Sequence, residues 1–349
     1  MSEITTIGID LAKNLFWLCC GNSMGRVLMR KRLRREDLLD FMRNQGPCLV
    51  GMEACSGAHH WGREFQKMGH TVKLMSPQYV KPFVKTNKND AKDAEGCFEA
   101  VQRPTMRFVA VKTTRQQEIC QVHRVRERLV AARTALSNEM RGFLAEFGVV
   151  MPKGVNRLLS HVAAVLEQHG EQIPLLSKES INRLVEEFKR VDTEIEFYDG
   201  KIREIHKSLP ESRRLDTIGG IGAITATAIV AAVSDPKQFK NGRNFSAFLG
   251  LTPRQNTTGG KARLGRISKR GDAYIRKLLV QGAHAELCHL GNKTDRRSIW
   301  LRELLKRHKK VGKTAVALAN KNARIAWALL ARGGEFDRTH APKNERRAA

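Results

Sequence analysis

Cysteine is scarce and unpatterned in this chain. The seven thiols (Cys19, Cys20, Cys48, Cys55, Cys97, Cys120 and Cys288) make an odd number, and no two stand as C-x-x-C. That excludes a disulfide frame and a zinc ribbon and leaves reduced, mostly buried thiols. There is no run of about 18 apolar residues, so no segment reads as a membrane span. The opening MSEITTIGID lacks a basic, then apolar, leader, so a cytoplasmic, nucleoid-associated protein is expected. Trp17, Trp61, Trp300 and Trp327 are scattered and read as core or surface anchors, not as a base-stacking row. Acid is also in short supply, with 35 Asp plus Glu against 62 Lys plus Arg and a formal net charge of +27. Such an excess predicts a polyanionic partner, nucleic acid first, because neutralising phosphates drives binding and a basic surface speeds encounter.

What is present is the composition of a folded protein. At 349 residues, 41% of them hydrophobic and 28% charged, the chain is long enough for two or three domains with their own cores. ITTIGID (4–10) reads as a strand tipped by Asp10, and LFWLCC and RVLMR as two more short strands around the turn GNSMG. A helix near Leu38 and Phe41 leads to CLVGME, a second acid-tipped strand ending at Glu53. Helix-like 58–68 and strand-like HTVKLM follow. This alternation predicts an α/β layer with a partly parallel sheet, whose rim is where sites are built.

From about residue 114 the pattern becomes long charged helices. Ile181, Leu184, Phe188, Val191, Ile195, Tyr198, Ile202 and Ile205 alternate spacings of three and four, a heptad seam that predicts a coiled coil. Val122, Val125, Leu129, Ala132 and Leu136 repeat it on the preceding helix, and EFGVVMPKGVNRLL between the two reads as a linker. The C-terminal part reads as short helices broken at Pro236 and by the glycine-rich stretch 258–271. The expected divisions are 1–112, 113–209 and 210–335, with a frayed tail at 336–349.

The chemistry-bearing residues fall in three places. Asp10, Glu53, Asp90 and Asp93 form the first group, and D-x-x-D puts the last two carboxylates on one helix face. Like charges one turn apart repel in isolation. Hard Mg²⁺ is held by carboxylate oxygen, and two ions serving phosphodiester chemistry would make such a cluster a site. Lys85, Lys88 and Lys92 surround the pair and are expected to face phosphate. The second place is IGGIG (218–222) before a helical run, which has the form of a helix-hairpin-helix turn. Gly220 and Gly222 would let amides at a helix start meet a phosphate; close helix packing would explain glycine equally well by itself, and the basic context tilts the reading toward phosphate. The third is GLTPRQNTTGGKARLGRISKRGDAYIRKLL (250–279), read as a basic loop carrying Thr257, Thr258, Arg254, Lys261, Arg263, Arg266, Lys269 and Arg270. A hydroxyl there could attack phosphorus beside steadying cations, but residue types alone favour a loop that only grips backbone phosphate. HKKVGKTAVAL imitates the end of a phosphate-binding loop, yet Arg307 stands where the first glycine belongs and no buried strand precedes it.

TTIGIDLAKN, GMEACSGAHHWG, NKNDAKDAEGCFEA, LDTIGGIGAITATAIVAAV and FSAFLGLTPRQNTTGGKARLGRISKRGDAYIR, in this order, resemble the DEDD transposases of insertion sequences, relatives of the Piv invertase. The resemblance covers nearly the whole chain. It implies a RuvC-like (ribonuclease H-like) N-terminal domain, a coiled-coil middle and a mainly helical C-terminal transposase domain. It also implies a recombinase that cuts and rejoins donor and target DNA under the guidance of an element-encoded noncoding (bridge) RNA, as a dimer to tetramer with no membrane association. The family's acidic tetrad falls on Asp10, Glu53, Asp90 and Asp93, with Mg²⁺, two ions per site, as cofactor. Its serine nucleophile falls on Thr258, where this chain departs from the pattern; Thr257 and then Ser268 are the alternates. A RuvC-like junction resolvase using water, and a non-catalytic nucleic-acid binder, are the competing expectations.

Overall fold

Along the first strand the apolar residues alternate with residues small enough to lie under a helix, and that alternation organises the N-terminal unit. A computed structural model describes residues 3–84 and 89–337. Lys85, Lys88 and the tail from residue 338 lie outside the described residues. The chain divides into two compact units, residues 1–116 with 233–238 and residues 117–232 with 239–349.

In the first unit the elements run β1 (Thr6–Asp10), β2 (Leu15–Gly21), β3 (Val27–Arg34), α1 (Leu38–Arg43), β4 (Leu49–Glu53), α2 (Ala58–Lys67), β5 (Thr71–Met75), α3 (Pro77–Val80), α4 (Asp90–Val101) and β6 (Phe108–Val109). They form a mixed six-stranded sheet of order β3-β2-β1-β4-β5-β6. β1 pairs in parallel with β4, and β4 with β5, while the remaining pairs are antiparallel. The partly parallel α/β sheet expected from the sequence is therefore present. Successive strand residues point to opposite faces. Ile7 and Ile9, with Val50, Met52, Val72 and Leu74 from the neighbouring strands, pack against Phe16, Phe65 and Trp61 in the main core. The alternate residues, Gly8 on β1 and Gly51 on β4, face α4 and are cross-strand partners.

The second unit is mostly helical: α5 (Thr114–Ala145), α6 (Val155–Gln168), α7 (Leu175–Ser208), α8 (Pro210–Asp216), α9 (Ala223–Ala232), α10 (Gly242–Phe248), α11 (Ala273–Cys288), α12 (Arg296–His308) and α13 (Val311–Arg332), with one hairpin of β7 (Pro253–Thr258) and β8 (Lys261–Ile267). The heptad residues of α7 turn inward, with Ile181, Phe188, Ile195 and Ile202 buried at intervals of seven. Arg126 and Arg133 of α5 pair with Asp199 and Asp192 of α7, so the two long helices run antiparallel and are tied within one chain. Leu136, Met140 and Leu144 at the end of α5 share a core with Leu158 and Val162 of α6, whose first turn already lies in the segment that reads as a linker. The stretch read as a basic loop is instead a hairpin over 253–267 followed by the start of α11, so the loop reading is corrected. Gly312, Lys313 and Thr314 lie in the first turn of α13 directly after α12, and Thr314 is fully buried, as its rejection as a nucleotide loop requires.

Candidate active site

The position of α4 follows from two glycines. A Cβ at Gly8 would stand 2.3 Å from the Phe98 backbone nitrogen and 2.4 Å from the Ala94 carbonyl oxygen, and one at Gly51 would stand 2.6 Å from the Val101 Cβ. Only glycine lets the helix lie this close to the sheet. Two residues beyond each glycine, on the same face of the sheet, stand the acids Asp10 and Glu53. The helix runs back over β1, so that Phe98 and Ala94 cover Gly8 and the first turn reaches the strand end. On the helix, Asp93, Ala94, Cys97, Phe98 and Val101 form one stripe, and the aspartates are its N-terminal continuation.

Asp10, Asp90 and Asp93 each offer a carboxylate oxygen, and these three atoms lie within 4.8 Å of one another. A separation of 80 residues in the sequence has closed to ligand distance. Asp10 and Asp93 are half-buried and Asp90 is exposed. Glu53 stands outside that group, at the tip of the adjacent parallel strand, one residue past the last β1–β4 pair, Ile9 with Met52. The side chain of Asn89 caps α4 by accepting the Ala91 amide at 3.0 Å, and both aspartates sit in the first turn, where the positive end of the helix dipole favours them.

The donor set fits a hard divalent cation. All three oxygens are carboxylate, and mutual repulsion among them is relieved by a cation. The Cys97 thiol on α4 does not compete: burial first, then the charges of Glu53 and Asp10, push it well above the ordinary cysteine range, which keeps it protonated. His59 is not available either, since its Nδ1 accepts the Lys112 amide at 3.1 Å. Lys92 is half-buried on α4 between the two aspartates in sequence.

In the second unit the hairpin closes through Gly259 and Gly260, whose φ angles of 58° and 74° are both left-handed, as a two-residue turn of this hand requires. The register sorts the hydroxyls. Thr258 pairs with Lys261 and Asn256 with Arg263, so Thr258 shares its face with two cations. Thr257 belongs to the opposite face with Gln255 and Leu264, and its hydroxyl accepts the Gln255 amide at 2.9 Å. Thr258 is exposed, as are Arg254, Lys261, Arg263, Arg266, Lys269 and Arg270. Ser268 is half-buried at the hairpin base, where its Oγ accepts the Arg270 amide at 3.4 Å and its carbonyl accepts Arg254 at the same distance. That base is rigid: Lys269 holds a left-handed φ of 54°, and a Cβ at Gly250 would meet the Arg270 carbonyl oxygen at 2.1 Å.

The turn 218–222 is fixed from behind. A Cβ at Gly282 of α11 would lie 1.8 Å from the Gly220 carbonyl oxygen, and the Gly219 carbonyl accepts both Arg297, at 3.0 Å, and Asn322, at 2.9 Å. Arg297 is itself buried and paired with Glu286 at 2.6 Å. Close packing thus accounts for Gly220, whereas Gly222 faces open space at the start of α9. Sequence reasoning missed the role of Gly8 and Gly51; the recurrence of glycine two residues before each strand-end acid, in GID and GME, was the available signal.

Comparison with known proteins agrees with this geometry. The model of IS110-type DEDD transposases, described as "Transposase", matches residues 7–149, and a second, described as "Transposase IS116/IS110/IS902 family", matches residues 212–297. The chain is 46% identical over 331 residues to a Pseudomonas aeruginosa protein named "Probable family 20 transposase", covering 95% of this chain and 98% of that one. It is 42% identical to the "Transposase for insertion sequence element IS1111A" of Coxiella burnetii, over 95% of this chain and 91% of the relative. It is also 42% identical to the "Transposase for insertion sequence element IS1328" of Yersinia enterocolitica, over 97% of this chain and 100% of the relative.

Proposed function

This chain belongs to the IS110 family of DEDD transposases, and from that premise we propose that it cuts and rejoins DNA through a covalent protein–DNA intermediate on Thr258, guided by RNA. The convergence of Asp10, Asp90 and Asp93 carries the catalytic part of this reading. These three, with Glu53 beside them, would hold Mg²⁺, two ions in all. When bound, the metal supplies Lewis-acid polarisation of the phosphoryl oxygens and charge for the leaving oxygen. The protein's own part is to fix the carboxylates through the glycine-seated α4 and to present a hydroxyl on a cationic ribbon. In the proposed step the Thr258 Oγ forms a bond to phosphorus while a strand P–O bond breaks; the hydroxyl gives up its proton and the departing oxygen gains one. A strand hydroxyl later reverses the attack, and the energy of the phosphodiester is conserved.

The register argument supports Thr258 over Thr257 and Ser268, because Thr258 alone has Lys261 and Arg263 on its own face. A fold of the ribonuclease H type is consistent with the strand order and with acids at adjoining strand tips. The cations Lys92, Arg254, Lys261, Arg263, Arg266, Lys269 and Arg270, with Gly222 at a helix start, are proposed contacts to nucleic-acid backbone. RNA guidance and a dimer to tetramer rest on the family resemblance. Exposed Leu175, Leu176 and Phe197 on α7 suit coiled-coil self-association.

The test is a suicide substrate carrying the element end, incubated with metal and resolved under denaturing conditions. The wild-type chain yields a DNA adduct, Thr258→Ala does not, and Thr257→Ala does. Cleavage without an adduct in both wild type and Thr258→Ala would establish a water-using nuclease instead. Sequencing RNA that copurifies with the protein when its flanking DNA is transcribed tests guidance separately, and the absence of an enriched transcript refutes it.

A further inference from the structure

Two of the four tryptophans, scattered in sequence, meet in one cavity of the second unit. It has a volume of about 950 Å³ and is walled by α12, α13 and the start of α10. Half-buried Trp300 of α12 supplies aromatic surface above the buried ring of Trp327 on α13, and Arg243, Lys321, Arg324 and Arg332 supply charge. On α13 the residues Lys321, Arg324, Ala328 and Arg332 follow at spacings of three and four, so they lie along one helix face. Gly242 lets α10 meet that face closely, since a Cβ there would sit 2.9 Å from the Arg324 carbonyl oxygen.

The cavity pairs cation with ring. Lys321 Nζ lies 3.8 Å from the centre of the Trp300 ring, and the Arg332 guanidinium 5.7 Å from that of Trp327. Lys321 is half-buried yet, among the described residues, neither it nor Arg243 nor Arg324 has an acidic partner within salt-bridge distance. Arg297, also in the wall, is already neutralised by Glu286. Burial, then the charges of Arg297, Arg324 and Arg296, lower the Lys321 pKa, which is what a cation crowded by cations and short of an anion does. Glu335 and Asp337 reach the rim and offset part of this charge.

We propose that this cavity binds one unpaired nucleotide of a single-stranded nucleic acid, its base against Trp300 and its flanking phosphates on Arg243, Lys321 and Arg324. An indole accepts any base by stacking, and arginine and lysine hold phosphate, a combination that recognises single strands and not the closed stack of a duplex. A volume of this size admits a nucleotide. The cavity shares no lining residue with the hydroxyl hairpin or with the acid group, so the proposal needs neither cleavage nor the Thr258 assignment.

The experiment uses the full chain carrying Asp10→Asn, so that binding is read without cleavage, and titrates short single-stranded RNA, single-stranded DNA, duplex DNA and polyphosphate at fixed salt. Fluorescence anisotropy reports affinity and tryptophan quenching reports occupancy. Arg243→Ala with Arg324→Ala is expected to weaken single-strand binding and to flatten the dependence of log K on log salt by about 1.4 for two lost phosphate contacts. Trp300→Ala is expected to cost on the order of 10-fold in single-strand affinity, and Trp300→Phe, which keeps a ring, to restore most of it. Thermal melts of each variant report whether the fold is kept. Preference for RNA or for DNA among the single strands identifies which the pocket serves. Single-strand binding unchanged by both the arginine and the tryptophan variants overturns the proposal, as does polyphosphate binding equal to that of oligonucleotides with no dependence on Trp300.

Discussion

The acid cluster and the hydroxyl hairpin are built on opposite principles. The acids stand on a central strand and on a helix seated against backbone at Gly8, with most of the supporting side chains fully buried. The hairpin stands in solvent on both faces, stiffened only at its base and its glycine turn. Carboxylates that share a cation must be placed to within a fraction of an ångström before the cation arrives, and a packed scaffold does this. The hairpin has reach instead, as a two-stranded ribbon of about 20 Å length. Preorganisation is concentrated in one unit and access in the other.

The sharpest break in this comparison is at Asp10. Asp10→Asn removes a carboxylate from a preorganised cluster, and cleavage of an element-end substrate is expected to fall on the order of 10³-fold while the circular-dichroism melt stays in place. If cleavage persists in saturating metal, the acids do not form the catalytic centre.

Next in size is a pH effect on the helical unit that carries the hairpin. His123 of α5 is buried between Tyr274 of α11 and Thr227 of α9, with both hydrogen bonds at 3.0 Å. Burial, then the charge of Arg126, lowers its pKa from 6.5 to about 4. The imidazole is therefore neutral in the fold and is protonated more readily in the unfolded chain. Its contribution is complete above pH 6.5 and is lost as the pH falls through 4, costing about 3 kcal/mol at the low end. Denaturant titrations between pH 7 and pH 4 should show the loss, and His123→Gln should flatten it.

Gly8→Ala probes the seat of α4. The added methyl has to displace backbone, which is expected to cost about 2 kcal/mol and to separate Asp93 from Asp10. A lowered melting temperature together with weakened metal affinity, measured by isothermal titration, checks both consequences. The smallest effect belongs to the arm. Gly260→Ala forces a side chain into a left-handed φ of 74° at a cost of about 1 kcal/mol, confined to the ribbon. The melting temperature should not change measurably, whereas adduct formation should fall a few-fold.

Legibility in the sequence follows the same division. Asp10 and Glu53 were visible because a short apolar run that ends on an acid is unusual, and Asp90 and Asp93 because their spacing is one helical turn. The heptads of α7 were visible because burial at every seventh residue leaves a periodic trace, and the ion pairs to α5 then showed the two helices tied within the chain. The hairpin escaped because its strands are exposed on both faces and so carry no alternation of apolar and polar residues; the Gly-Gly pair preceded by two threonines was its local signal. The tryptophan cavity escaped because Trp300 and Trp327 lie on different helices, and their neighbourhood is set by how α12 and α13 pack.

The sequence by itself determined the elements on which Asp10, Glu53, Asp90 and Asp93 sit, because strand alternation and helical spacing are local. It could not determine that Asp10, Asp90 and Asp93 come within 4.8 Å while Glu53 stands aside, or that Thr258 and not Thr257 shares a face with Lys261 and Arg263. Those were decided by the tertiary structure. A separation of 80 residues closes only where glycine lets a helix touch a sheet, and the face of a ribbon residue is fixed only by the register of its partner strand.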